Sequence, residues 1–584
     1  MLSFQVQEVN FPVTLMNFSG VIDEPMERKY HVSREPDNIY KNIGGISGDY
    51  YTYQPQNTKD KHTIHLEDLS SFLLSRKFEP QMFEEEYNNL PQGLLKSHFT
   101  ALLPENRKKN RYKNMYACPT KDILNDFWRM IWQTNSRKIV MLTNLIEEEK
   151  HKCEKYWPDE GSTKFGFITV RLVNIERFSD FTIRTIELKK ERFVKEKEKL
   201  ETRLVQQFHF TAWPDKGVPR YASSLVHFRQ KVRNAGMRGT TEGPMVVHCS
   251  AGIGRTGTFL ALDYLVDEGK ELSYINIFRG VETLRQQRVN LVQTMDQYMF
   301  LHEALVEALS CTTSAMSTSS FRVEYKKLFE IDTKSWKRRL DLQYEELTLY
   351  VAEAKDDVYE NAKNMENRKK NRYSNILPDQ NHSPFLNVDA EGFETYINAV
   401  FLPAYKENDI FIITQTPLEN TKVDFWRMLY QFEVYTVVML NTLKEMKDEE
   451  RYWPENEQSL QIPPFSVSLE TKSVDEIYVN YTFLLQYHGD HRKVRLSRAT
   501  YWADTEPVPK SPTAMLKQIQ LIQRWQQEKG NKPVVVHCMN GAERSGLFCV
   551  VASLLERTKI EQDVAVEQII KQMRSRRPQI IPNV

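Results

Sequence analysis

A cysteine and an arginine six positions apart, Cys249 and Arg255, frame the stretch VVHCSAGIGRTGTF at 246–259. An apolar, strand-like run leads into the thiol, and a helical stretch follows the arginine. The pattern suits anion chemistry. A thiol reacts as its thiolate, and an ordinary one with a pKa near 8.5 is mostly protonated at neutral pH. Cys249 would lie beneath a helix N-terminus, where backbone N–H groups favour negative charge. The small residues Ser250, Ala251, Gly252 and Gly254, with Ile253 among them, let those N–H groups turn inward as an anion nest. Arg255 can grip two phosphate oxygens with its planar fork. Thr256 can offer its hydroxyl to the sulfur. The spacing alone is weak, and a buried structural cysteine is the competing reading. Strand, small-residue loop and helix together favour a nucleophile at the floor of a dianion cradle.

The elements that would position this loop occur twice. VVVHCMNGAERSGLF at 534–548 repeats the plan with Cys538 and Arg544. ENRKKNRY stands at 105–112 and 366–373, DFWRM at 126–130 and 424–428, YWP at 156–158 and 452–454, and VVHC at 246–249 and 535–538. Four strings in one order indicate a duplicated domain, since the period is far longer than that of a solenoid. The expected organisation is a poorly ordered segment over 1–64, a first domain over 65–310, a linker over 311–324 and a second domain over 325–584. A tyrosine cluster at Tyr50, Tyr51 and Tyr53 in the first segment reads as a flexible tail or as phosphorylation sites. RKIVMLTNL, YTVVMLNTL, GPMVVHC and KPVVVHC read as buried strands, and LHEALVEAL and SPTAMLKQIQLIQRWQQEKG as helices. The expected fold class is α/β (α+β), with a central twisted mixed sheet flanked by helices in each copy.

The 584 residues carry a net charge of +1, so no basic field is available for nucleic acid. Six cysteines in so long a chain make no disulfide framework; reduced thiols in an intracellular setting are expected. No run of about 18 apolar residues exists, so no membrane span is expected, and the N-terminus lacks a signal-peptide pattern. Neither His151 nor His248 falls in a ligand-like cluster. No metal or cofactor is expected, because N–H groups and Arg255 meet the charge. His248, beside Cys249, is expected to tune the thiolate through hydrogen bonding.

HCSAGIGRTG resembles the signature loop of the protein-tyrosine phosphatases, and the resemblance runs from about residue 65 to the end. Two such domains in series resemble the cytoplasmic part of a receptor-type enzyme. PFLNVDAEGFETYINA and HCMNGAERSG are most similar to the MAM-containing, kappa/mu-like subgroup. The resemblance implies hydrolysis of phosphotyrosine in proteins through a cysteinyl-phosphate. In FTAWPDKGVP, Asp215 would be the general acid and then base, with Trp213 as the hinge of its loop. In KNRY, Tyr112 would set pocket depth by stacking on the substrate ring. In LVQTMDQ, Gln293 and Gln297 would position water, and Glu147 would brace Arg255, with a plain surface acid as the competing reading of Glu147. The expected setting is cytoplasmic, at the inner face of the plasma membrane if the chain belongs to a longer receptor. Phosphotyrosine proteins are the implied partners, together with contacts between the two domains.

The copies differ where chemistry should be. The second keeps Cys538, Arg544, Asp504 and Tyr373. Glu543 stands for Gly254 and Met539 for Ser250. A carboxylate there repels phosphate, and a side chain is expected to conflict with the glycine's backbone conformation. YWADTEPVP loses the proline of the acid loop and gains a residue. Pro582 falls opposite Gln293, and the closing helix TMDQYMFLHEALVEAL has no counterpart before Val584. The second copy therefore reads as weak or inactive and regulatory. The first copy has its own gap. Tyr112 to Asp126 spans 14 positions and Tyr373 to Asp424 spans 51, so the first copy is 37 residues shorter. Two strands are expected to be missing, which would expose sheet edges and loosen the cradle. An active phosphatase is thus set against a phosphotyrosine-binding pseudophosphatase. A redox-sensing thiol is compatible with the first reading.

Overall fold

The computed structural model describes residues 4–7, 10–15, 60–93, 103–107, 109, 123–194, 197–236, 243–309, 315–333, 335–349, 356–388, 390, 392, 394–406, 410–456, 458–530 and 532–584. The chain divides into two compact units, Met1–Ser314 and Ala315–Val584. Each holds an eight-stranded mixed sheet with helices, the α/β class expected. Of the expected linker, residues 311–314 lie outside the described residues. Met316–Ser317 pairs with Asp563–Val564, and Thr318–Lys327 is helical, so 316–324 is structured rather than a loose connector.

In unit 2 the strands run in the order Ala399–Leu402, Phe411–Gln415, Val534–Cys538, Thr436–Met439, Asp490–Ala499, Tyr478–Tyr487, Phe465–Val474 and Leu460–Ile462. The central three, Phe411–Gln415, Val534–Cys538 and Thr436–Met439, are mutually parallel and buried at every position. A parallel strand covered on both faces reads as a continuous apolar run, which is why VVVHC and TVVM lack alternation. The meander of 460–499 is antiparallel, and its middle strand Tyr478–Tyr487 alternates in burial.

Unit 1 repeats this plan from Lys138–Met141 outward, with one replacement. The edge of Met245–His248 that two strands cover in unit 2 is taken by Phe4–Gln7, with Asn10–Leu15 outside it. The pairing is antiparallel, Phe4 opposite Val247 and Val6 opposite Met245, whereas Phe411–Gln415 runs parallel to its neighbour. The sheet edge expected to lie open is therefore paired, and residues 4–7 and 10–15 of the segment expected to be poorly ordered form strands.

The four repeated strings form one linked set in both units. Lys109 of the first string pairs with Asp126 of DFWRM at 3.1 Å, and Lys370 with Asp424 at 2.9 Å. The indole of Trp128 donates to the Tyr156 carbonyl of YWP at 2.9 Å, and that of Trp426 to the Tyr452 carbonyl at 2.8 Å. The hydroxyls of Tyr156 and Tyr452 reach Nε2 of His248 and His537 at 2.8 and 2.7 Å. The strings lie far apart in sequence, yet they bond through buried and half-buried polar groups that are costly to leave unpaired. They hold the strand that delivers the cysteine.

Candidate active site

Met245–His248 is fully buried and ends at Cys249, and the helix Gly254–Leu272 begins five residues later. Between them Gly252 turns at φ 68°, a conformation that disfavours a side chain. Its N–H donates to Cys249 Sγ at 3.2 Å, and the Thr256 hydroxyl donates to the same sulfur at 3.1 Å. Cys249 is only 4% exposed. Behind the loop, Arg288 donates to the Ala251 carbonyl at 3.1 Å. Burial pulls the Arg288 guanidinium down to about 9, and the charge of Cys249 opposes that fall.

Arg255 is held as a fork. Its two terminal nitrogens meet the two Glu147 oxygens at 2.6 and 2.8 Å. It also donates to the Leu142 carbonyl at 3.2 Å, and to the Pro214 and Asp215 carbonyls at 2.8 and 3.3 Å. The acid loop is therefore docked onto the arginine by its backbone. Trp213 anchors that loop, 2% exposed, with its indole donating to the Gly217 carbonyl at 3.2 Å. The structure thus brings Cys249, Arg255, Glu147, Trp213 and Asp215 to one place.

Lys152 is an addition that sequence reading missed. Its ammonium pairs with the Asp215 carboxylate. That hydrogen bond is the main cause holding Asp215 below the usual carboxylate range, with Arg255 adding to it. Ser250 also donates to the Lys152 carbonyl at 3.0 Å, so the same short segment touches both loop and acid. The signal was present in EEEKHKCEKYWP, but nothing distinguishes one lysine there from its neighbours.

Gln293 and Gln297 reach the loop from its other side. The backbone before them is clamped by Arg285, which donates to the Leu291 and Val292 carbonyls at 3.0 and 2.8 Å. Gln297 Oε1 accepts the Gln293 N–H at 2.9 Å. A Cβ placed on Gly254 would stand 2.9 Å from both end atoms of the Gln297 amide and 3.2 Å from Gln293 Oε1. This corrects the expected reason for that glycine. Its backbone is helical rather than left-handed; what it supplies is room for the two glutamines. Tyr112 lies outside the described residues.

His248 meets Tyr156, as noted, and Tyr156 also accepts from the Gln207 amide at 2.7 Å. The other ring nitrogen of His248, Nδ1, is buried without a hydrogen-bond partner among the described residues. In unit 2 the matching His537 Nδ1 meets the Thr416 hydroxyl at 3.1 Å. Gln415 and Thr416 of the same segment also accept from the backbone N–H and the guanidinium of Arg372, beside Tyr373, at 2.9 and 3.1 Å. These groups belong to the 37 residues that unit 1 lacks. The antiparallel replacement strand restores the backbone pairing, while His248 Nδ1 has, among the described residues, no counterpart of the Thr416 hydroxyl.

In unit 2, Arg544 donates to Glu445 at 3.1 Å through a single nitrogen, and to the carbonyls of Ala503 and Asp504 at 3.2 and 2.9 Å. The altered acid loop is therefore docked much as in unit 1. Cys538 lies 3.4 Å from the Ser545 hydroxyl. Ile581, at φ 51°, occupies the place of Val292 at φ 60°, with Arg574 donating to Ile580 and Ile581 as Arg285 does to their counterparts. Pro582 follows where Gln293 follows in unit 1.

The protein-tyrosine phosphatase family model matches residues 106–307 and again 367–584. The chain belongs to this family. It is 34% identical over 472 residues to receptor-type tyrosine-protein phosphatase U of Gallus gallus, covering 79% of this chain and 32% of that protein. It is 33% identical over 558 residues to receptor-type tyrosine-protein phosphatase S of Gallus gallus, covering 89% and 36%. Against receptor-type tyrosine-protein phosphatase alpha of Homo sapiens it is 31% identical over 545 residues, covering 86% and 67%. The chain thus spans about a third of the first two relatives. Such even identities do not single out the MAM-containing subgroup. Among the described residues no helix is long and apolar enough to cross a membrane.

Proposed function

We propose that the first domain, over residues 65–310, hydrolyses phosphotyrosine in proteins. The observation that carries this is one cluster. Cys249 Sγ accepts two hydrogen bonds, and Arg255 is fixed as a fork beside it, with the Asp215 loop docked on that fork. Cys249 attacks phosphorus while Arg255 and the loop N–H groups hold the phosphoryl oxygens. Asp215 protonates the leaving tyrosyl oxygen. A water placed by Gln293 and Gln297, and deprotonated by Asp215, then frees phosphate from sulfur. The acid must be protonated to act first, while Lys152 holds it ionised in the unliganded site. A bound phosphate dianion supplies the opposite field and raises it again.

The second domain, over 325–584, serves as a regulatory partner with little turnover of its own. The setting is cytoplasmic, at the inner membrane face of a longer receptor, as the receptor-type relatives suggest. Asp215→Ala in the full chain tests the assignment. It should bind a phosphotyrosyl peptide in a long-lived complex and lose turnover. A pure binding module would hold the peptide equally well with and without Asp215.

A further inference from the structure

The cradle of unit 2 already contains an oxygen. Asn540 stands where unit 1 has Ala251, and its carboxamide oxygen accepts the backbone N–H of Ala542 at 3.1 Å and of Glu543 at 3.2 Å. The Cys538 thiol reaches the same oxygen at 3.3 Å. One side-chain atom thus takes two inward donors of the nest and caps the sulfur. The rest of the site remains: Arg544 is docked and Ser545 lies under the thiol. Glu543 is exposed at the first turn of the helix Glu543–Glu561 and adds a negative charge next to Arg544 in the chain.

We propose that Asn540 is a built-in occupant of the second domain's oxyanion site, standing in for a phosphate oxygen, and that Glu543 adds charge repulsion at the entrance. The site is formed but filled, which differs from a site whose donors are lost. An amide oxygen is a neutral acceptor, so it satisfies the N–H groups without the dianion's charge. A tetrahedral oxyanion must displace it and face Glu543 as well. The inference rests on the reading of the first domain's loop as a phosphate cradle, since the two loops share their plan.

The test is tungstate binding to the full chain by titration calorimetry, with a melting curve for every variant. The wild-type chain should bind one equivalent, and Arg255→Met should bind none. Adding Asn540→Ala to Arg255→Met should restore one equivalent. Adding Glu543→Gly to that pair should tighten it at least tenfold, and a further Arg544→Met should abolish it. Glu543→Gly with Arg255→Met alone should stay silent. Ala251 shows that alanine is compatible with this loop, so Asn540→Ala should melt near wild type. Two equivalents in the wild-type chain would overturn the proposal. So would no gain from Asn540→Ala in a cooperatively melting chain, or a full gain from Glu543→Gly alone. No binding to the wild-type chain would count against the first-domain reading instead, and the Asn540→Ala gain would still decide this one.

Discussion

Gly254→Ala asks whether that glycine serves water positioning rather than backbone shape. The new Cβ would lie 2.9 Å from the Gln297 amide and 3.2 Å from Gln293 Oε1, against the 3.4–4 Å of ordinary contact. Both are ends of flexible side chains, so they move rather than the loop. The bond from the Gln293 N–H to Gln297 Oε1 is strained, and its loss costs about 1 kcal/mol of stability. Cys249 and Arg255 are untouched, and the helical backbone of residue 254 tolerates alanine, so formation of the cysteinyl-phosphate should proceed near its wild-type rate. Hydrolysis of that intermediate needs a placed water, and a shift of about 1 Å costs about 10²-fold. Rapid mixing with p-nitrophenyl phosphate should then show a burst near one p-nitrophenol per chain, followed by turnover about 10²-fold slower. Phosphocysteine at residue 249 should be visible by mass spectrometry. Steady-state turnover within twofold of wild type and no burst would show that the glycine has no part in placing the water. An equal loss in the burst rate would mean that the glycine shapes the cradle itself.

Three further outcomes are expected. Lys152→Met removes the main cause of Asp215's low pKa, so the descending limb of kcat/KM should move to higher pH, while KM rises from the lost positive charge; an unmoved limb would separate Lys152 from the acid. Tyr156→Phe leaves His248 Nε2 without its buried partner and the Gln207 amide nitrogen with only the Met141 sulfur at 3.6 Å. At about 1–3 kcal/mol for each such group, the first unit's calorimetric transition should fall by several degrees. His209 and His537 are both held down to about 3, chiefly by burial. The unfolded chain takes up protons below about pH 6.5 that these sites refuse, so stability falls as pH drops from 6.5 toward 3. Each site accounts for about 1.4 kcal/mol by pH 5.5. His537→Gln should flatten the acid dependence of the second unit's melting.

Much of the site could be read from residue types because its chemistry is local. Cysteine, small-residue loop and arginine lie within seven residues, and the acid loop carries its own tryptophan and glycine. The duplication was legible for a different reason. The four strings are the bonded parts of one buried set, Lys–Asp, Trp–carbonyl and Tyr–His, and neither copy can change one member alone without orphaning another. The pairing of Phe4–Gln7 with Met245–His248 was not legible, since strands about 240 residues apart leave no local trace. The role of Gly254 was misjudged because glycine usually signals φ above zero, and here Gly252 does that while Gly254 makes room. Asn540 was passed over because a loop asparagine is ordinary until its oxygen is seen inside the nest.

Catalysis is assigned to the first unit's cradle. Hydrolysis of a phosphotyrosyl peptide by the full chain, with Cys249→Ser and Cys538→Ser measured in parallel, decides that assignment. Activity should vanish with Cys249→Ser and stay within about twofold of wild type with Cys538→Ser. Turnover that survives Cys249→Ser, or that is lost with Cys538→Ser in a chain that still melts cooperatively, would place catalysis outside the first unit's cradle.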